Sequence, residues 1–207
     1  MTTPFNPHTR SKDLPGQVAI ALYRVSQAIG HMLRRRGEAA QLSPAQIQAL
    51  LFLRYARPGV RTVGGLAARL AATYATASGV ADALERKQFV KRQPLPTDQR
   101  TITLGLTAKG NRQAEQLEDV LDEVEAAIAD LPTAEQQALV RATQAIVRRL
   151  QAGGHVQVYE MCWGCQFFQR EAHPADPRGP HHCGFVDAPL PEANTYLECP
   201  DFIPLEN

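Results

Sequence analysis

The stretch TVGGLAARLAATYATASGVADALERKQFVKRQPLPTDQRTITLGLTAKG, residues 62–110, decides the fold. Val63, Leu66, Ala67 and Leu70 recur at helical spacing, Ala71-Ala72 breaks the run, and Thr73 offers a hydroxyl suited to capping a new helix. The second helix, spanning about Thr73 to Lys87, is expected to bury Ala77, Val80, Ala81 and Leu84. Tyr74, Ala75, Thr76, Ser78 and Gly79 are then left to face outward near its N-terminal end, where such a helix reaches base edges on entering a major groove. Phe89-Val90 and Ile102/Leu104/Leu106 read as two strands flanking the polar QPLPTDQR, whose prolines, Pro94 and Pro96, and Asp98 suit an exposed hairpin tip. Helix, tight turn, helix and hairpin, in that order, describe a winged helix-turn-helix.

Working outward, LSPAQIQALLFL at 42–53 supplies the helix before the reading head, and Asp98-Gln99-Arg100 is followed by Leu104, Leu106, Thr107 and Gly110. In order and spacing these segments, with TVGGLAARL between them, resemble the MarR family of bacterial transcriptional regulators, over roughly residues 14–150. The wing pattern D-x-R then L-x-L-T-x-x-G is its most specific part. The resemblance implies that Arg100 enters a minor groove at the wing tip, that Asp98 orients it by an ion pair, and that Thr76, Ser78 and Gly79 face bases. The expected DNA-contacting set is Thr73, Tyr74, Thr76, Ser78, Gly79, Arg92, Asp98 and Arg100. Two positions depart from the family's pattern: Gly79 stands where many relatives carry a basic residue, and Gln88 replaces the glycine usual before the wing.

The net charge of +1 over 207 residues hides a polarised chain. Residues 1–53 carry +4, 54–112 carry +8, 113–152 carry −5 and 153–207 carry −6. A basic reading head followed by an acidic second half suits phosphate binding combined with an outward region that leaves DNA alone. No stretch approaches the roughly 20 apolar residues of a membrane helix, and MTTPFNPHTR lacks the apolar core of a signal peptide, so a cytoplasmic protein with no membrane partner is expected.

Before the head, Asp13 is placed to cap a helix striped by Val18, Leu22, Val25, Ile29 and Met32 and closed by Arg34-Arg35-Arg36 at its negative end. After the wing, Thr107 is expected to cap a long helix with Leu117, Val120, Leu121, Val124 and Ile128 on one face, stopped by Pro132. Thr133 and Gln136 match a capping box for a last helix striped by Leu139, Val140, Ile146, Val147 and Leu150, up to Gly153-Gly154. Three such helices have more apolar face than one monomer covers, which implies a homodimer on a pseudo-palindromic operator with half-sites about one helical turn apart.

All four cysteines lie after Gly154, in the pattern C-x2-C-x17-C-x15-C: Cys162, Cys165, Cys183 and Cys199. Seven of the thirteen aromatics sit there too, among them Tyr159, Trp163, Phe167 and Phe168. A proline-rich segment of about fifty residues with little periodicity does not fold on burial alone, and a metal site supplies the missing cross-link. Disulfides are disfavoured in a reduced compartment. Zinc prefers two closely spaced cysteine pairs, whereas only Cys162 and Cys165 form one; a [4Fe-4S] cluster accepts lone ligands and often ends on Cys-Pro, as at Cys199. The arrangement also resembles small four-cysteine iron–sulfur subunits of other enzymes. The cluster is slightly favoured, with zinc the close alternative. His181 and His182 are alternative ligands or polar loop residues, Trp163 is expected to pack over the metal, and His155 and His173 carry no signal.

The expected protein is mainly α with a small β wing. Its 1–152 unit is a MarR-like winged helix with N- and C-terminal dimerisation helices and a reading head at about 42–110; residues 153–207 form an irregular, metal-stabilised tail. The expected function is transcriptional regulation by a homodimer that senses redox or cluster status through its four cysteines. Alternatives are a repressor answering to a small-molecule effector with a structural zinc staple, or a metal-stabilised interaction or redox-carrier module on a DNA-binding dimer. Paired carboxylates and nucleophile–base patterns are missing, so no enzyme activity is expected.

Overall fold

Three helices end in the same way, and those ends set the layout of the head. In the computed structural model, which describes residues 3–56, 58–95, 98–156, 162–196, 199, 202, 203 and 205, the short α1 (Pro7–Arg10) precedes the long α2 (Leu14–Ala40). Helix α3 (Pro44–Tyr55) follows, then α4 (Val63–Arg69) and α5 (Tyr74–Arg86). Each of α2, α4 and α5 is closed by a non-glycine residue in the left-handed region: Gln41 (φ 53), Ala71 (φ 48) and Gln88 (φ 62). The next N–H in each case reaches back five residues, Leu42 to Gly37 O at 2.8 Å, Ala72 to Ala67 O at 3.0 Å and Phe89 to Leu84 O at 3.0 Å. This is the Schellman closure, and it turns Leu42 and Phe89 into the core as buried plugs.

Helix starts are equally explicit. Ser43 and Gln46 form a reciprocal capping box on α3, and the hydroxyls of Thr62, Thr73 and Thr107 accept from the N–H groups of Gly65, Thr76 and Gly110. Strand β1 (Val90–Leu95) pairs antiparallel with β2 (Asp98–Leu106) to make the wing. Ile47, Leu50, Leu53, Leu66, Leu84, Leu104 and Leu117 are fully buried where α3, α4, α5 and β2 meet. Gly110 is required at the wing base, because a Cβ there would stand 1.9 Å from Phe89 O.

Several local expectations are corrected. The wing strands extend further than the hydrophobic run suggested, with Pro94 opposite Ile102 and Leu95 opposite Asp98; Pro96 and Thr97 lie outside the described residues. Helix α2 continues past Arg34-Arg35-Arg36 to Ala40, since the Gln41 closure lies further on. Asp13 occupies the N-cap position of α2 without a side-chain cap bond. The single long helix after the wing is divided into α6 (Ala108–Glu115), a 3₁₀ turn at Glu118–Leu121 and α7 (Asp122–Ala129). The division follows from burial: Leu117 turns fully into the core, and the Gln116 carbonyl accepts from Arg36 Nη2 at 2.7 Å. Helix α8 (Thr133–Ala152) starts at Thr133 itself, and Gln136 donates to Ala129 O and Leu131 O, so no capping box forms there.

The tail is more ordered than its lack of periodicity implied. Strands β3 (Phe168–Gln169), β4 (His181–Cys183) and β5 (Ala188–Leu190) form an antiparallel sheet, flanked by 3₁₀ turns at Cys162–Gly164 and Glu192–Tyr196. Strands of two and three residues leave no alternation to read. No helix among the described residues is long and apolar enough to cross a membrane.

Candidate functional site

Helix α5 rests on Ala77, Ala81 and Leu84, all buried, and turns the opposite face of its N-terminal end to solvent. Tyr74 is 65 % exposed, and Ala75, Thr76 and Gly79 are exposed beside it, while Ser78 is only half-exposed. Thr73 holds the end of the helix by its cap and by a 2.9 Å contact between its hydroxyl and that of Thr76. A Cβ at Gly79 would meet nothing within 4 Å, so the outward face is open there.

Several of the head's basic residues are bonded within the scaffold. Arg92 donates to Asp82 Oδ1 at 2.6 Å and also to Glu85, which ties β1 to α5. Both carboxylates come from α5 and engage the Arg92 guanidinium. Lys87 donates to Gln41 O and Gln46 Oε1, Lys109 donates to Lys87 O and lies 4.7 Å over the Phe89 ring, and Arg61 donates to Ala56 O. Burial lowers the pKa of Arg61, which remains a cation. Arg86, Lys91 and Arg100 are exposed along α5 and the wing. Arg86 and Lys91 were not singled out from the sequence, where nothing separates them from the basic residues that the scaffold uses. Asp98 opens β2, and its side chain lies outside the described set.

Two long-range ties meet on the 3₁₀ turn. Arg36 of α2 reaches Asp119 at 2.5 Å, and Arg54 and Tyr55 of α3 both bond Glu118. The Tyr55 hydroxyl first, and Arg54 with it, hold the Glu118 carboxyl below its ordinary range. Arg36, Met32, Arg35, Asp119, Val120 and Glu123 line a cleft of about 240 Å³ beside this tie.

In the tail, Cys162, Cys165, Cys183 and Cys199 all line one cavity, and all four stand as thiols. The Cys162–Cys165 turn is closed by the Cys165 N–H on Cys162 O at 2.9 Å, and Phe168 pairs with Cys183 across the sheet. Phe167, Phe168, Phe185 and Phe202 complete much of the wall. Among the described residues, no three His, Cys, Asp or Glu side chains are gathered so as to hold a single metal ion. Trp163 does not roof the cavity as expected; it packs on Phe168 and His181 and donates to Thr195 Oγ1 at 3.0 Å. His173, unremarkable in the sequence, bonds His182 at 3.0 Å. Tyr159 lies outside the described residues.

A helix-turn-helix whose second helix projects an open N-terminal face beside a two-stranded basic wing defines the winged-helix class. Within that class, residues 40–101 match the MarR family model. The chain is 29% identical over 100 residues to the HTH-type transcriptional repressor YetL of Bacillus subtilis (strain 168), a match covering 48% of this chain and 60% of that protein's length. Among solved structures it resembles S. aureus MepR in its DNA-binding conformation, with TM-score 0.57 and 22% identity over 65% of this chain and 98% of that one. It also resembles CouR from Rhodococcus jostii RHA1 bound to p-coumaroyl-CoA, with TM-score 0.53 and 18% identity over 62% of this chain and 90% of that one. The fold is the MarR-type winged helix.

Proposed function

We propose that this chain is a DNA-binding transcriptional regulator, not an enzyme, and that it acts as a homodimer on a pseudo-palindromic operator. The observation that carries the reading is the open N-terminal face of α5 next to Arg86, Lys91 and Arg100 in the segment of charge +8. The repressor YetL and the MepR–DNA complex are similar proteins whose described roles agree with it. Val18, Leu22 and Val25 of α2 and Leu139, Val140 and Leu150 of α8 are exposed apolar residues, the surface a second copy would cover. Selection from a random duplex pool tests this. Enriched sequences should show two inverted half-sites about 10 bp apart centre to centre; a pool with no enrichment overturns it.

The finer reading is that operator affinity follows the redox or metal status of the tail, which continues from α8 through Gly153-Gly154. It is supported by four thiols facing one cavity. A second reading, a small-molecule effector bound beside α2, is supported by the cleft at Arg36 and Asp119 and by the ligand carried by CouR.

A further inference from the structure

We infer that the four-cysteine cavity is a binding site for a [4Fe-4S] cluster, ligated by the thiolates of Cys162, Cys165, Cys183 and Cys199 alone. This rests on the metal-status reading of the tail and names its occupant. A single tetrahedral zinc with Zn–S bonds near 2.3 Å draws its four sulfurs to within about 4 Å of one another. Here the thiols instead stand around a cavity of about 50 Å³ and are not gathered for one ion. That volume is several times the roughly 10–15 Å³ that one water needs. A cubane cluster has a body of its own and is held by four cysteines at its corners.

The neighbouring imidazoles are excluded as substitute ligands because their nitrogens are already used. His181 is buried, its Nδ1 accepts the Glu171 N–H at 3.1 Å, and its remaining ring N–H donates to Glu192 at 2.5 Å. His182 bonds His173 through Nδ1 and lies 3.3 Å from Asp187 through Nε2. Among the described residues the cavity wall holds no imidazole and no carboxylate, only the thiols and apolar side chains such as Phe167, Phe185 and Leu190. A wall of that kind excludes water from the cluster and leaves its charge set by the four thiolates.

The test uses the full chain, purified without air and incubated with ferric iron, inorganic sulfide and a thiol that reduces half of the iron to the ferrous state. The expected result is iron and acid-labile sulfide in [4Fe-4S] stoichiometry, a broad absorbance in the violet to blue that bleaches on reduction, and all four thiols protected from alkylation until the iron is chelated. Cys183→Ser and Cys199→Ser should each lose most of the colour, and His182→Gln should keep it. Retention of one zinc per chain with no iron uptake overturns the inference, as does a full cluster in Cys183→Ser. Alkylation of the wild-type chain decides the matter even where a serine variant misfolds, since fewer than four protected thiols in the iron-loaded protein also overturns it. Operator binding is read on the same samples: a colourless protein that binds DNA fails the cluster alone, and a coloured protein that does not bind fails the regulator reading alone.

Discussion

Arg92 Nη2 lies 2.6 Å from Asp82 Oδ1, and its other terminal nitrogen bonds Glu85, so the first wing strand is fastened to the C-terminal half of α5. These groups are partly exposed, and such pairs are worth about 1 kcal/mol or less. Arg92→Ala should therefore cost little stability while loosening the wing, and Arg92→Lys should restore only part of the loss, because one ammonium cannot fork to two carboxylates. Operator affinity should fall with the slope of log affinity against log salt unchanged. A reduced slope would show that Arg92 meets phosphate directly.

Arg100 is expected to behave in the opposite way. Arg100→Ala should leave the melting temperature nearly unchanged, weaken operator binding strongly, and reduce the salt slope by about 1 per head. Affinity within about twofold of wild type would remove Arg100 from the interface.

Gln88 closes α5 at φ 62, a conformation that costs a non-glycine residue roughly 1 kcal/mol. Gln88→Gly should raise stability by about that amount with an unchanged far-ultraviolet spectrum. A destabilised variant would mean that the Gln88 side chain holds the wing by itself.

The helix order, the Thr73 cap and the wing were legible because each leaves a local mark: helical spacing, a hydroxyl before an apolar run, prolines between alternating strands. The departure at Gln88 was visible too, and the structure accounts for it by placing glutamine directly in the left-handed region. What stayed hidden is long-range. Arg36 and Asp119 are 83 residues apart, and Arg54 and Glu118 are 64 apart, so no window of sequence pairs them. The pairing of Arg92 was hidden for a different reason: its partners are only seven and ten residues back, but they lie across a helix end with no periodicity linking helix to strand. The tail's sheet escaped detection because its strands are too short to alternate.

The tie at Glu118 predicts a pH effect. Tyr55 and Arg54 hold this carboxyl below its ordinary value of 4.5, so its contribution to stability is full above that value and is lost as pH falls through the lower folded-state pKa. Melting temperature should drop on acidification below about pH 4.5 more steeply in the wild type than in Glu118→Gln. Identical profiles would mean that the tie carries no stability.

The proposed coupling between tail and head predicts that oxidant or nitric oxide treatment of the iron-loaded protein changes operator affinity by about tenfold, or 1.4 kcal/mol, and that Cys183→Ser shows no response. Equal affinity of loaded, metal-free and Cys183→Ser proteins would make the tail a structural appendage.

The most direct test of the account is the salt dependence of binding to a duplex selected by this protein, measured by fluorescence anisotropy. Arg86, Lys91 and Arg100 on each of two heads give about six phosphate contacts, and the log–log slope should be about −5. A slope near zero, or no difference in affinity between the selected duplex and a scrambled one, would contradict the assignment of this chain as a DNA-binding regulator.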